Sequence, residues 1–349
     1  MKKIAVFLLL IIIAFPSGLL AKNEVVICDW GGAIQEAQKE AYYLPFEKET
    51  GIRVIAVSWP NIAKIRTQVQ TGNVEWDVVV SGGGAYYTSI ANNMVEKIDY
   101  SYFDPKVLAQ LYPQAKQPYG VASYSFSYVF TWRTDVYSKE TAPKNTVEFW
   151  DVKKFPGPRT MFDISTAALG WEWPLIADGV PLDQLYNNPD MDRAFKKLDE
   201  IKPHVVKWWK SGAVPGQLFT DKEIVLGIAY NGRMQKLKEQ GGPVDYHWNE
   251  GRMSFDRYFV PKGAPNKENA MKFIAFASRP DRQAAFAKII AYGPVNKKAF
   301  DLIPKERARL LPSYPENMQK QFIPDDNWFM NTDNVDGVIE RWTQWITQK

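Results

Sequence analysis

The chain has 349 residues, and its 43 lysines and arginines stand against 39 aspartates and glutamates, giving a formal net charge of +4. Because these charges are interspersed and nearly balanced, they give no electrostatic reason to expect a nucleic-acid partner. The single cysteine, Cys28, excludes an intramolecular disulfide, so stability must come from packing. A chain of this length can form two domains with substantial cores.

The first 21 residues have the layout of a cleaved secretory signal. Two lysines precede an unbroken apolar run from Ile4 to Phe15, which is followed by Pro16, Ser17, Gly18 and Ala21. About twelve apolar residues are too few to span a hydrocarbon core of about 30 Å. Cys28 lacks the small-residue context of a lipid-attachment cysteine. We therefore predict export to the periplasm, with an unanchored mature chain that begins near Lys22.

The first half of the mature chain alternates strands with helices. The predicted elements are a strand at 24–29, a helix from about 33 to 50, a strand at 51–58, a helix at 62–71 and a strand at 76–81. This alternation predicts an α/β fold with a largely parallel sheet. Because ligands bind beyond the carboxyl ends of such strands, Trp30 and the turn from Ser81 to Gly84 are expected at the edge of a cleft.

A second unit follows a predicted strand at 124–131. Its predicted elements are a helix at 166–178, a helix at 191–210 that Pro203 kinks or splits, a strand at 223–230, a helix at 231–240, a returning strand at 255–260 and a helix at 266–277 that packs on the first unit. We assign residues 22–131 and 256–302 to a first lobe, and residues 132–255 and 303–349 to a second. Two crossings between the lobes predict a hinge near 131–133 and 248–255.

Recognisable catalytic motifs are absent from the sequence. It contains no G-x-S-x-G, no H-E-x-x-H and no G-x-x-x-x-G-K-[ST], and His204 and His247 stand outside any metal-ligand spacing. We therefore predict no catalysis, no cofactor and no metal. Two alternatives stay open, an exported hydrolase on the same lobes and a metal receptor, although the scarcity of histidine disfavours the receptor.

The order of several segments resembles the solute-binding proteins of ABC importers, in particular the spermidine/putrescine-binding family. These segments are the Trp30 turn, PFEKETGI at 45–52, WDVVVS at 76–81, AYNG at 229–232, VPKGAP at 260–265 and YGPVN at 292–296. The resemblance implies a two-lobed periplasmic-binding-protein clamshell with a mostly parallel sheet in each lobe and a hinge. It also implies that a small bound solute is delivered to a membrane permease, without catalysis. We expect a monomer whose partners are a small cationic or zwitterionic amine and an inner-membrane ABC permease, with no nucleic acid.

The same resemblance implies how an amine would be held. Asp256 falls where the family binds an ammonium group, and Trp30 falls where it has an aromatic wall. An ammonium drawn from water must be paired and hydrogen-bonded, and each aromatic face adds about 0.5 to 2 kcal/mol. The family's acidic pair is replaced here, which leaves Glu172 as a candidate second ligand. The family's aromatic before the aspartate is also shifted, to Phe255.

Arg233, at the end of a predicted second-lobe strand, suits a carboxylate because guanidinium presents two parallel donors. With Asp256 opposite, the site would fit a zwitterion. Patterns at 177–180, 207–212 and 231–233 look closer to the family branch that binds amino acids such as 4-aminobutyrate. We therefore predict an ω-amino acid, with a polyamine as the alternative.

Four further residues complete the predicted lining of the cleft, namely Ser81, Gly83, Tyr124 and Tyr292. Gly83 could instead belong to a turn that cradles an anion. The alternative for Asp256 is a purely structural role, as a strand-end carboxylate paired with Arg252 or Arg257.

Overall fold

A computed structural model describes residues 23–166 and 169–348, so the predicted signal segment at 1–21 lies outside the described residues. The described residues contain one nine-stranded sheet. Its strands are β1 Glu24–Asp29, β2 Arg53–Ser58, β3 Val78–Ser81, β4 Lys116–Gln117, β5 Gly120–Arg133, β6 Arg159–Phe162, β7 Val205–Trp209, β8 Leu226–Tyr230 and β9 Val244–Phe259.

Helices cover the sheet and connect its strands. They are α1 Gly32–Gln38, α2 Leu44–Thr50, α3 Ile62–Thr71, α4 Gly83–Ala91, α5 Pro105–Gln110, α6 Thr146–Trp150, α7 Glu172–Ala177, α8 Met191–Ile201, α9 Val214–Thr220, α10 Asn231–Glu239, α11 Lys267–Ala277, α12 Pro280–Ile289, α13 Lys305–Ala308, α14 Pro315–Met318, α15 Asp326–Met330 and α16 Thr332–Thr347. A π-helical turn at Lys39–Tyr43 joins α1 to α2, as the predicted helix from 33 to 50 requires.

The sheet order is β2-β1-β3-β9-β5-β8-β6-β7, with β4 paired to β5. At one end, β1 runs parallel to both β2 and β3, and at the other end β6 runs parallel to both β7 and β8. The two ends are joined through the antiparallel pair of β5 and β9. The predicted α/β class is confirmed, and the parallel strands lie at the two ends of one continuous sheet.

The strands β5 and β9 change partners along their length. Residues 121–128 of β5 pair with residues 252–258 of β9, and residues 130–133 pair with residues 244–247. Between these two registers, residues 248–251 stand against the single residue Val129, and Glu250 has a positive φ of 55°. This β-bulge lies within the region where the sequence predicts a hinge.

Two predicted helices of the second half are shorter than expected. The helix predicted at 191–210 is wrong beyond Ile201, because Pro203 lies in a 3₁₀ turn and residues 205–209 form β7. Valine and tryptophan favour a strand once β6 offers a parallel partner. The helix predicted at 166–178 is reduced to α7, preceded by a 3₁₀ turn at Ile164–Thr166.

The segment after residue 302 packs on α12, which precedes it in the chain. Its hydrophobic cluster comprises Ala284, Ala287, Ala291, Ala299, Ile303, Ala308 and Leu311. The predicted lobe boundary between residues 302 and 303 therefore passes through one buried cluster. By contrast, α16 packs against α8, where the rings of Phe195 and Trp345 lie 6.0 Å apart.

Candidate functional site

Asp256 of β9 is held by two hydrogen-bond donors on the same oxygen. The indole Nε1 of Trp30 donates to Oδ2 at 2.7 Å, and the hydroxyl of Tyr124 donates to Oδ2 at 2.5 Å. Tyr124 is also the register partner of Asp256, which brings both side chains to one face of the sheet. Trp30 reaches them from the turn after β1. The structure thus brings three predicted site residues together.

The carboxyl group of Asp256 is almost removed from water, with 5% of the residue exposed. Burial raises its pKa to about 6, although the hydrogen bonds from Tyr124 and Trp30 and the charge of Arg257 act in the opposite direction. Its other oxygen, Oδ1, faces Gly82, where a Cβ added to the glycine would stand only 2.6 Å away. Among the described residues no group donates to Oδ1. An added positive charge would stabilise the ionised form of such a carboxylate.

A purely structural role for Asp256 would require an ion pair with a neighbouring arginine. In the structure Arg252 pairs with Glu172, at 3.0 Å from Nε to Oε1, and Arg257 pairs with Asp326, at 2.7 Å from Nη2 to Oδ2. Each arginine therefore has another carboxylate partner, and Asp256 forms no ion pair with any of the described residues.

Stacked aromatic rings extend from Asp256 toward the end of β8. Tyr124 and Tyr292 stack at 5.3 Å with an angle of 8° between their planes, and Phe126 meets the edge of Tyr292 at 6.2 Å. Phe126 also packs against Tyr230 at 5.6 Å. Tyr230 was not singled out from the sequence, although its place before the 231–233 motif at a strand end could have identified it.

Arg233 lies in the first turn of α10, directly after β8, and its side chain is exposed. Its Nε lies beside Gly212 and Tyr230, since a Cβ on Gly212 would stand 3.0 Å from that nitrogen and 2.5 Å from a carbon of Tyr230. The structure gives it no hydrogen bond or ion pair with any described residue. Its guanidinium is therefore available to an external anion.

Tyr230 and Tyr292 lie near both charged groups. Burial raises the pKa of each hydroxyl, and the charges of Asp256 and Arg233 shift these pKa values further, upward and downward respectively. One aromatic surface is thus within electrostatic reach of an anionic and a cationic side chain.

Ser81 and Gly83 lie at the carboxyl end of β3, next to Asp256. Ser81 is the last residue of β3 and pairs with Arg257, while Gly83 begins α4 with a positive φ of 50°. Gly82, between them, has no Cβ to collide with the Asp256 carboxylate. The turn therefore allows a close approach of backbone to Asp256.

The structure does not bring Glu172 to this cluster. Glu172 is fully buried, and it accepts hydrogen bonds from the Arg252 guanidinium, from the Tyr186 hydroxyl at 2.8 Å and from the Gly170 amide at 2.8 Å. These bonds would have to break before Glu172 could hold an ammonium group. The sequence could not reveal this arrangement, because its partner Arg252 is distant in the chain.

Phe255 also lies apart from the Asp256 carboxylate. Neighbouring side chains on a strand point to opposite faces, so Phe255 projects away from the face that carries Asp256 and Tyr124. Its ring packs instead beside the guanidinium of Arg257, at 5.7 Å. Tyr292 and Tyr230, rather than Phe255, carry the aromatic rings that continue from Tyr124.

Two features are absent from the part of the chain that the structure describes. In residues 23–166 and 169–348, no three histidine, cysteine, aspartate or glutamate side chains are grouped so that they could hold a metal ion. Over the same ranges, no helix is both long enough and apolar enough to cross a membrane.

The chain is similar to several proteins of known name. It is 34% identical over 343 residues to the gamma-aminobutyric acid-binding protein of Pseudomonas aeruginosa, covering 96% of this chain and 95% of that protein. A solved GABA receptor matches with a TM-score of 0.83 and 36% identity over 93% of this chain and 98% of that one. A substrate-binding protein of an ABC transporter from Bradyrhizobium japonicum matches with a TM-score of 0.86 and 37% identity over 93% and 99%.

A polyamine-binding relative is more distant. The spermidine/putrescine-binding periplasmic protein of Escherichia coli is 25% identical over 320 residues, covering 86% of this chain and 85% of that protein. The family model described as bacterial extracellular solute-binding protein matches residues 41–315. The chain therefore belongs to the bacterial extracellular solute-binding proteins and serves as the solute-binding protein of an ABC transporter.

Proposed function

We propose that the protein binds a short ω-amino acid, such as 4-aminobutyrate, with its ammonium group on Asp256 and its carboxylate on Arg233. The observation that carries this proposal is the availability of both charges beside one aromatic surface. Among the described residues, one oxygen of Asp256 has no donor and Arg233 has no acidic partner, and Tyr230 and Tyr292 lie near both. The names of two similar proteins support the same ligand class.

The ammonium end and the carboxylate end of the ligand would contribute differently to the binding free energy. At Asp256, an ammonium restores the charge that burial disfavours, and charge-assisted hydrogen bonds are about twice as strong as neutral ones. At the exposed Arg233, a bidentate carboxylate contact is screened by solvent and contributes chiefly to orientation and selectivity. Trp30, Tyr124, Tyr230 and Tyr292 would then flank the alkyl chain.

A diamine is the alternative ligand, and it needs a second carboxylate. Glu172, the candidate from the sequence, is already bound by Arg252 and Tyr186. Arg233 would repel a second ammonium group. Both observations favour the zwitterion over putrescine or spermidine.

The proposal includes the setting in which the protein works. After removal of residues 1–21, it would act in the periplasm as a monomer and pass its ligand to an inner-membrane permease, with no catalytic step. The two lobes would close about β5 and β9, and ligand contacts from both lobes would favour the closed state. In that scheme Asp256 and Trp30 belong to one lobe and Arg233 to the other.

Isothermal calorimetry with 4-aminobutyrate and putrescine tests the assignment. We expect Asp256→Asn to weaken both ligands by about 100-fold or more, because an ammonium then lacks its carboxylate. We expect Arg233→Ala to weaken 4-aminobutyrate by about 30-fold and to leave putrescine unchanged or tighter. Lys236→Ala, an exposed cation one turn further along α10, is the matched control and should alter neither affinity.

Each result has a contrary outcome. Unchanged binding by the Asp256→Asn variant would remove the site from this cleft. Equal losses of both ligands in Arg233→Ala would remove the zwitterion assignment and leave the polyamine alternative.

A further inference from the structure

Trp59 combines high exposure with an uncommon backbone conformation. It is 72% exposed, more than any other large hydrophobic side chain found exposed among the described residues. Its φ is +69°, a region that residues other than glycine rarely adopt, and it precedes Pro60, which restricts its backbone further. Because the side chain is mostly exposed to solvent, its packing does not account for this backbone conformation.

Trp59 stands beside the turn that carries Trp30. The last residue of β2, Ser58, pairs with Asp29, the last residue of β1, so the two tryptophans each follow the end of adjacent parallel strands. The Trp59 amide donates to the Asp29 carbonyl at 2.7 Å. Its indole Nε1 would stand 3.9 Å from a Cβ on Gly31, the residue after Trp30. The indole therefore leans toward the Trp30 turn.

Buried Asp29 holds both turns in place. Its Oδ1 accepts from the Gly31 amide at 2.8 Å, its Oδ2 accepts from the Tyr43 hydroxyl at 2.5 Å, and its carbonyl accepts from Trp59. The backbone of Trp59 is thus held in its unusual conformation by a hydrogen bond to buried Asp29. Backbone strain of this kind persists only where the surrounding structure enforces it, and it occurs more often at ligand sites.

We propose that Trp59 is a further ligand-contacting residue, whose indole covers the ammonium end of the ligand at Asp256 and Trp30 when the lobes close. This inference rests on the proposed amine ligand. The face of an indole attracts a cation, and its bulk at the edge of the cleft excludes water from the ammonium–carboxylate pair. An exposed tryptophan held next to Trp30 supplies both effects.

The test compares Trp59→Asn with Trp59→Phe. Asparagine tolerates the positive φ but removes the aromatic ring, and phenylalanine retains an aromatic face. With 4-aminobutyrate in calorimetry, we expect about a 5- to 30-fold higher Kd for Trp59→Asn and a change below about threefold for Trp59→Phe. Leu44→Asn, at a site 52% exposed in the same half of the molecule, is the control and should bind like the wild type.

The outcomes separate this inference from the function on which it rests. If the wild type binds neither 4-aminobutyrate nor putrescine, the proposed function fails first. If the wild type binds and a folded Trp59→Asn variant, checked by circular dichroism and Tm, has the same Kd, the Trp59 inference is overturned and the function stands. Normal binding with impaired permease-dependent uptake would overturn it too, and would assign the indole to permease docking.

Discussion

At the scale of single residues, Asp256 is the side chain on which the proposed function depends most. Two donors, Trp30 and Tyr124, converge on one carboxylate oxygen, yet burial still raises the pKa to about 6. Hydrogen bonds alone therefore do not compensate the lost hydration of the charge. A residue kept in such an environment lowers the stability of the unliganded protein and gains affinity for a cation in return.

The raised pKa leads to a prediction for stability. Because the folded-state pKa of Asp256 lies above the ordinary aspartate value of about 3.9, its contribution to stability is present below pH 4 and is lost as pH rises through 6. Asp256→Asn removes this pH-dependent loss. The free energy of unfolding of the unliganded variant should therefore exceed that of the wild type by up to about 3 kcal/mol at pH 8 and by little at pH 4. Urea denaturation at both pH values measures this difference in the free energy of unfolding. A difference that does not depend on pH would contradict the prediction.

The same ionisation governs affinity. Protonated Asp256 cannot pair with an ammonium group, so the affinity for 4-aminobutyrate should fall about tenfold per pH unit below 6. Calorimetry between pH 5 and pH 8 checks this course, and a flat profile would argue against Asp256 as the ammonium partner.

At the scale of elements, β9 carries charged residues to both faces of the sheet. Asp256 lies on the face of Tyr124, whereas Arg257 reaches Asp326 of α15. Earlier in the same strand, Arg252 is buried against Glu172 of α7. One strand thus presents the candidate site and also ties down two helices through ion pairs.

The buried Arg252–Glu172 pair separates a structural role from a ligand role. Arg252→Met should lower the free energy of unfolding by about 3–5 kcal/mol, because Glu172 is left buried without its cation. Adding Glu172→Gln to that variant should recover much of the loss, as measured by urea denaturation. Glu172→Gln alone should bind 4-aminobutyrate like the wild type, and a large loss of affinity would return Glu172 to the ligand site.

At the scale of the whole molecule, β5 and β9 join the two parallel ends of the sheet at the bulge. Glu250 in that bulge is held from three sides: its amide donates to the Lys320 carbonyl at 2.7 Å, its carboxylate accepts from the Thr146 amide at 2.6 Å, and its carbonyl accepts from the Trp173 indole at 3.1 Å. Irregularities of this type concentrate bending in a sheet.

The carboxyl-terminal helices add a further link between the two halves. Asp326 accepts from Arg257 and from the Gln117 amide at 3.1 Å, while the ring of Trp328 packs on that of Trp171 at 4.6 Å. In the proposed lobe division, α15 therefore contacts both lobes, and any closing motion must accommodate it.

Closure itself is open to measurement by small-angle X-ray scattering. Saturating 4-aminobutyrate should lower the radius of gyration of the wild type, because contacts to both lobes shift the population toward the closed state. The Asp256→Asn protein at the same ligand concentration is the control and should not change. An unchanged radius with calorimetrically proven binding would exclude closure about β5 and β9.

Much of the first half was predictable from local patterns. Strand-and-helix alternation placed Trp30 and Ser81 at one edge, since the carboxyl ends of parallel strands meet there. The resemblance added Asp256, and the place of Arg233 at a predicted strand end added the second charge of the proposed ligand site. The second half was less predictable, because residues 205–209 become a strand only when β6 lies beside them.

The sequence by itself determined the α/β class, the likeness to solute-binding proteins and the residue types available to an amine, because these depend on periodicity and short motifs. Only the tertiary structure decided which charges are free. Glu172 and Arg252 neutralise each other although 80 positions separate them, whereas Arg233 and one oxygen of Asp256 have no partner within the described part of the chain. Pairing between distant side chains depends on packing, and no local pattern encodes it.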